Sequence, residues 1–468
     1  MSDSSDLKSR PHVALLPSAG MGHLTPFIRL AASLTAHNVQ VTFITPHPTV
    51  TLAESESLSH FFSTFTQITR MHFHLLPLDD PSANSEDPFY YHFEVIRRSS
   101  HLLRPILSSL SPPLSALITD MSLASTVIGI TDALRLPNYI LFTSSAKMSI
   151  LFLYFHSIVG TKTTGDSTVM PDFIKISSLE PMPKSWIPPP LLQDTNNLLK
   201  SYFIENGKKM TESSGILINT YESIEQESLA VLSNGKLLEK LPPVFPIGPL
   251  PPCNFEKSQP LAWLDDQPAK SVLYISFGSR TATSREQMRE LGDGLVRSGN
   301  RFLWVVKDKK VDVEDDSELV EVLGHGLMER MKGRGLVVKN WFNQEEVLSH
   351  QAIGGFLSHC GWNSVNEAIW HGVPMLSWPQ HGDQKINADL VERIGLGMWV
   401  ESWGWGGDGV VVKGEEIAER VEELMGNELL RLRAASVREE ARRAVGDGGS
   451  SHKTFTDLIE TWKTFLVL

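Results

Sequence analysis

The sequence predicts two α/β domains, each built on a parallel sheet with helices on both faces, facing one another across a cleft. Three observations carry this. Short apolar runs alternate with segments of helical periodicity along the chain. The twenty residues 241–260, LPPVFPIGPLPPCNFEKSQP, hold seven prolines, which no helix or central strand tolerates and which mark a linker. A second strand–helix series then opens as the first does, with a strand and a turn of small residues: GMGH at 20–23 and SFGS at 276–279.

In the first half, His12–Pro17 reads as a strand and Ser18–Gly22 as a turn. A helix over Leu24–Ala36 follows, with Leu24, Phe27, Leu30, Ala31 and Leu34 on one face. Val39–Ile44, His72–Leu76, Ser115–Thr119, Tyr139–Thr143 and Ile216–Asn219 are further strands. Runs this short and continuously apolar suit a sheet covered on both faces. In the second half the strands are Val272–Phe277, Phe302–Val306, Leu336–Lys339, Gly355–Leu357 and Met375–Trp378. The charged stretch 308–322 reads as a solvated loop and the tail from Ser450 as a terminal helix. The expected division is 1–245, 246–450 and a helix at 451–468 that packs back on the first domain.

Composition narrows the chemistry. The 468 residues are 41% hydrophobic and 21% charged, the balance of a globular chain, and 42 basic against 54 acidic residues leave a net charge of −12. That surplus of carboxylates repels a phosphate backbone, so no nucleic-acid partner is expected. The two cysteines, Cys253 and Cys360, build no disulfide framework and fit a reducing, cytoplasmic setting. The polar start MSDSSDLKSR does not read as a signal peptide, and the greasy stretch 123–159 is cut by Asp132, Arg135 and Lys147, so neither a signal peptide nor a membrane span is expected.

The turn SAGMGHL lacks a dinucleotide fingerprint. Thr25 stands where the third glycine belongs, and the second strand ends FITPHPT, without an acid for the ribose. GxxxxGK[ST], GxSxG, HExxH, CxxC and a strict DxD are all missing, and the histidines lack ligand spacing; no metal site is expected.

The informative segment is Trp341–Gln384, WFNQEEVLSHQAIGGFLSHCGWNSVNEAIWHGVPMLSWPQHGDQ. Gly354–His359 reads as a buried strand, Cys360–Asn363 as a turn, and a helix starts near Ser364. A helix N-terminus at a strand's carboxyl end offers free N–H groups and the positive end of the helix dipole to an anion. His359, Asn363 and Ser364 would add side-chain donors, a set suited to a diphosphate. The same residues have plainer readings. Ser364 and Glu367 have capping-box spacing, His359 could be a buried histidine with a backbone partner, and Trp341, Trp362 and Trp378 could be core.

This segment resembles the signature box of the plant UDP-dependent glycosyltransferases, family 1, which have the GT-B fold of two Rossmann-like domains. HCGWNS followed by Glu, and the closing WPxxxDQ, carry the resemblance across all 44 positions of the box. It implies that Trp341 stacks on uracil, that the Phe342 backbone reads the base edge, and that Gln344 and Glu367 bind the ribose. It also implies that His359, Asn363, Ser364 and Ser279 hold the diphosphate, and that Trp362, Asp383 and Gln384 meet a glucose. UDP-glucose is then a co-substrate and no cofactor is needed. One departure stands out: Asn343 replaces the family's usual Pro, which should loosen that turn. This Asn, with AGMGHLTPF, the DPF at 87–89, SRTA at 279–282 and WPQHGDQ, resembles the branch containing flavonoid C-glucosyltransferases.

Glycosyl transfer to a phenol needs a base. His23 closes the first strand–turn and Asp120 ends another strand of the same sheet, on the same carboxyl edge. An imidazole oriented by a carboxylate is a suitable pair for that proton, and the resemblance assigns the same two residues. Asp120 could alternatively cap the helix that follows it. The expected activity is inverting C-glucosylation of a phloroglucinol-type polyphenol by a monomer; O-glucosylation and nucleotide-sugar binding without turnover are the competing readings.

Overall fold

The computed structural model describes residues 10–77, 88–160, 171–176, 179–193, 197–235, 237–238, 240–253, 262–278, 280–281, 283–307, 318–339, 343–406 and 409–465. The chain divides into two compact units, Met1–Phe255 with Arg443–Leu468, and Glu256–Arg442.

Sheet strands of the first unit are β1 (His12–Leu16), β2 (Gln40–His47), β3 (Thr69–His74), β4 (Ala116–Asp120), β5 (Asn138–Phe142), β8 (Gly215–Ile218) and β9 (Val244–Pro246), with a small hairpin of β6 (Phe173–Ile174) and β7 (Met182–Pro183). The main sheet runs β3-β2-β1-β4-β5-β8-β9, every pair parallel. Strand β1 shows why the run His12–Leu16 is continuously apolar. Val13 and Leu15 enter one core with Phe27, Phe43 and Leu217, while Ala14 and Leu16 enter another with Ile44, Phe73 and Leu117. Both faces are covered, so alternation would leave polar groups buried. Strand β9 lies within the proline-rich stretch read as a linker. It is the sheet's outermost strand, where Pro246 costs no shared ladder bond.

The helix Ser450–Phe465 completes the first core. Phe455, Leu458, Ile459 and Trp462 are buried in the same cluster as Val13 and Leu15, Trp462 lies edge-on to Tyr139 at 5.6 Å, and Ser451 Oγ donates to the Gly248 carbonyl at 2.6 Å.

The second unit holds β10 (Val272–Ser276), β11 (Arg301–Val305), β12 (Gly335–Val338), β13 (Ile353–Ser358), β14 (Met375–Ser377) and β15 (Gly397–Trp399). Their order is β12-β11-β10-β13-β14-β15, again all parallel. Strand β15, absent from the strands the sequence predicts, has three residues at the sheet's edge. Within 308–322, expected to be loop, Leu319–Leu323 is helical, with Val322 and Leu323 buried in the core; 308–317 lie outside the described residues.

Each sheet is a Rossmann-like arrangement with one reversal of strand order, between β1 and β4 in the first unit and between β10 and β13 in the second. Crevices outside the carboxyl ends at such reversals are where doubly wound sheets bind ligands. No helix among the described residues is long and apolar enough to cross a membrane.

Candidate active site

The reversal in the first unit brings together two of the residues singled out in the sequence. His23 is the third residue of the helix Met21–Ala36, which follows β1 after four intervening residues, and Asp120 is the last residue of β4. These strands are adjacent and in register, Leu16 opposite Thr119. His23 Nδ1 lies 2.8 Å from Asp120 Oδ2; the carboxylate is fully buried and the imidazole about one-fifth exposed. Asp120's other oxygen accepts from Ser122 N at 2.9 Å and Ser122 Oγ at 2.6 Å. The two readings of Asp120 therefore coexist, one oxygen for the turn it caps and one for the histidine.

Burial pushes the Asp120 carboxyl upward, but the charge and hydrogen bond of His23 and the two bonds from Ser122 outweigh it, leaving its pKa below the ordinary value. An ionised Asp120 accepts from Nδ1–H. That fixes the tautomer whose Nε2 carries the lone pair, and Nε2 makes no hydrogen bond among the described residues. Two neighbours complete the setting. Thr143 Oγ1, just past β5, stands 3.1 Å from Nδ1, and Phe93 presents its ring edge-on to the imidazole at 6.4 Å. Thr143 was not singled out in the sequence, since it reads only as the polar end of an apolar run.

The reversal in the second unit sets the turn after β10 beside the turn after β13, Ser276 opposite Ser358. His359 lies between two glycines. A Cβ on Gly278 would come within 2.7 Å of His359 Nε2, and one on Gly361 within 2.6 Å, so only hydrogen fits on either side. Gly278 has φ +77, a second reason for glycine there. Burial lowers the His359 pKa to about 3, His381's charge acts in the same direction, and the Ser276 backbone opposes both. His359 is a neutral imidazole at physiological pH, able to serve an anion as a hydrogen-bond donor and not as a cation.

The helix expected to start near Ser364 starts at Trp362, with Gly361 as its N-cap and no side-chain cap bond. Asn363 and Ser364 sit in its first turn, and Ser364 is not at the N-cap position, so the capping-box alternative for Glu367 falls. Gln344 Nε2 instead donates to Ser364 Oγ at 2.9 Å and to Glu367 Oε2 at 2.5 Å, and Tyr274 Oη donates to Gln344 Oε1 at 3.4 Å. Gln344, Ser364 and Glu367 thus form one polar cluster beside a helix N-terminus. Trp362 and Trp378 are buried.

Asn343 corrects the expectation of a loosened turn. Its Oδ1 accepts from Glu345 N at 3.2 Å, capping the helix Gln344–Ser349, and its φ of −63 is the value a proline ring imposes. Asp383 and Gln384 close the segment. Asn387 Nδ2 bridges Asp383 Oδ2 at 2.9 Å and the Cys360 carbonyl at 3.0 Å. Gln384 Oε1 accepts from the backbone of Gln380 at 2.8 Å and of His381 at 2.9 Å, so this side chain also shapes the turn. Ser279, Trp341 and Phe342 lie outside the described residues. Among the described residues no cluster of His, Cys, Asp and Glu is arranged to hold a metal ion.

Comparison with known proteins agrees with both halves. Residues 12–252 match the glycosyltransferase N-terminal domain, and residues 248–407 match the UDP-glucoronosyl and UDP-glucosyl transferase family. UDP-glycosyltransferase 708G2 of Citrus unshiu is 55% identical over 99% of both chains. Among solved structures, LpCGTa in complex with UDP is 47% identical, with a TM-score of 0.85 over 97% of this chain and 99% of that one. UGT71G1 of Medicago truncatula, complexed with UDP-glucose, is 28% identical, with a TM-score of 0.83 over 98% and 100%. With its two Rossmann-like units of the GT-B class, the chain belongs to the plant UDP-glycosyltransferase family.

Proposed function

We propose that the protein is an inverting, UDP-glucose-dependent C-glucosyltransferase acting on phloroglucinol-type polyphenols such as 2-hydroxyflavanones and dihydrochalcones. The observation that carries it is the His23–Asp120 pair: a buried carboxylate 2.8 Å from Nδ1, with Nε2 left to accept a proton. In this reading Nε2 takes the proton of an acceptor phenol, and Asp120 stabilises the imidazolium that forms. The phenolate's charge spreads to the ring carbons ortho and para to it. One of these attacks the anomeric carbon of glucose with inversion as the bond to UDP breaks, and loss of that carbon's proton restores the aromatic ring. Ring carbon and oxygen share the charge, so placement of the acceptor decides which atom bonds.

The donor roles follow the same reading. Trp341 and Phe342 take the uracil, Gln344 and Glu367 the ribose, and Trp362, Asp383 and Gln384 the glucose. Ser279, His359, Asn363 and Ser364 hold the diphosphate with the free N–H groups of the helix Trp362–His371. Those donors meet the leaving group's charge without a metal or other cofactor. The likeness to UGT71G1, solved with UDP-glucose, supports the donor, and the likeness to LpCGTa, a CGT by name, supports the carbon linkage. The setting is a monomer in the cytosol, where UDP-glucose is made. Incubation with UDP-glucose and phloretin, then heating of the product in acid, tests the bond. A C-glucoside survives; release of free phloretin would establish O-glucosylation in its place.

A further inference from the structure

The helix carrying His23 begins without help from its own sequence. Gly20, its N-cap, has no side chain to offer, and the first turn holds no acid. Gly20 also has φ +97, and a Cβ there would come within 3.2 Å of the Phe89 ring. Its carbonyl accepts from His23 N at 3.0 Å and from Leu24 N at 2.9 Å, so the Gly20 peptide sets where His23 leaves the backbone. The group that holds Gly20 comes from elsewhere: Glu54 Oε1 accepts its N–H at 2.6 Å.

Glu54 is buried, 3% exposed, and uses its two oxygens for two tasks. Oε2 accepts from Thr51 N at 2.8 Å and Thr51 Oγ1 at 2.9 Å, while Glu54 N donates to Thr51 Oγ1 at 3.1 Å, completing the capping box of the helix Leu52–Thr64. Oε1 is not needed for that box. A cap alone explains one oxygen and leaves unexplained why a buried carboxylate reaches across to the turn before His23.

We infer that Glu54 is a positioning residue for the base, clamping the Gly20 peptide so that His23 meets Asp120. This rests on the reading of His23 as the base. The carboxylate accepts from two backbone N–H groups and a hydroxyl and has no donor to satisfy. A carboxamide in its place has a single oxygen; Thr51 presents two donors to it and Gly20 one, so the oxygen stays with Thr51 and the N–H₂ turns toward the Gly20 N–H, releasing it. A cavity beside Glu54 is lined by Ser18 and Ala19 of the same turn, with Thr45, Thr49 and His92 across it.

The test uses the full-length protein and four variants: Glu54→Gln, Glu54→Ala, Thr51→Ala and His23→Ala. Thr51→Ala breaks the capping box and leaves the Gly20 bond. It should lower Tm comparably to Glu54→Gln and hold kcat within about twofold. Glu54→Gln and Glu54→Ala should lower kcat on the order of ten- to hundredfold with KM for UDP-glucose nearly unchanged, as for a reacting group displaced by a fraction of an ångström. Equal kcat losses in Glu54→Gln and Thr51→Ala would overturn the inference while leaving the base intact. Activity retained in His23→Ala would overturn the base reading, and the inference with it. Glu54→Gln is isosteric and keeps the test decisive if the alanine variant does not fold.

Discussion

His23 and Asp120 meet at 2.8 Å because β1, which leads into the turn before His23, and β4, which ends on Asp120, are neighbours at the one place where the first sheet reverses its order. Their sequence separation of 97 is bridged by topology alone. With Asp120 fully buried, water does not compete for Oδ2, and the bond orients the ring.

Asp120→Asn separates the carboxylate's two tasks. The amide oxygen can still accept from Ser122, so Tm should change little. The N–H₂ then faces Nδ1–H, the imidazole loses its orienting acceptor, and kcat should fall on the order of 10²–10⁴. Asp120→Ala should show the same kinetic loss and a further destabilisation of about 1 kcal/mol from the lost cap. His23→Ala should abolish transfer with UDP affinity, measured by calorimetry, nearly intact.

Gly361→Ala tests the donor side. Gly361 has φ −58, which any residue adopts, so the effect of a methyl is steric. It would press on His359 Nε2 from 2.6 Å, and the ring cannot retreat because Gly278 closes the other side. UDP affinity should fall at least about tenfold, about 1.4 kcal/mol, while near-ultraviolet dichroism shows a folded protein. Unchanged affinity would remove His359 from the diphosphate site.

Asn343 should be replaceable by proline. Asn343→Pro keeps the backbone angle and should retain donor affinity and Tm. Asn343→Ala keeps neither the ring constraint nor the cap and should cost about 1 kcal/mol. Thermal melts with and without UDP distinguish these outcomes.

Two buried histidines contribute to the acid sensitivity of the fold. Burial lowers His92 from the ordinary 6.5 to about 4; burial, with His381 second, lowers His359 to about 3. Between those values and 6.5 the unfolded chain binds protons that the folded chain refuses, so stability rises with pH across that window. It is fully present above about 6.5 and is lost as pH falls, by up to about 1.4 kcal/mol per pH unit for each group. Urea melts at successive pH values should show this slope, and His92→Gln should reduce it by about one proton's worth.

Most of the fold was legible because a sheet covered on both faces needs unbroken apolar strands, and β1, β4, β5 and β13 are such runs. The strands missed or misread lie at edges. Proline disguised β9, and β15 has three residues and no periodicity to detect. At the site, His23 and Asp120 were legible because the parallel-sheet rule places strand ends along one edge. Ser364 misled because S-x-x-E is a good start signal, yet Gly361 stops the strand–turn earlier and the helix begins at Trp362. Thr143 and the reach of Glu54 to Gly20 were not legible. Both depend on packing between segments far apart in sequence, and neither residue type departs from what a strand end or a capping box already explains.

The placement of Ser450–Phe465 has a consequence for synthesis. Ribosomes release the first half of this protein long before Phe455, Leu458, Ile459 and Trp462 exist, yet those side chains finish its core. Until they arrive, the apolar surface around Tyr139 and Leu217 stands open on the nascent chain. The first unit to be made is therefore the last to be sealed, and a shortened expression clone lacking this helix would deliver aggregates in place of an isolated first unit.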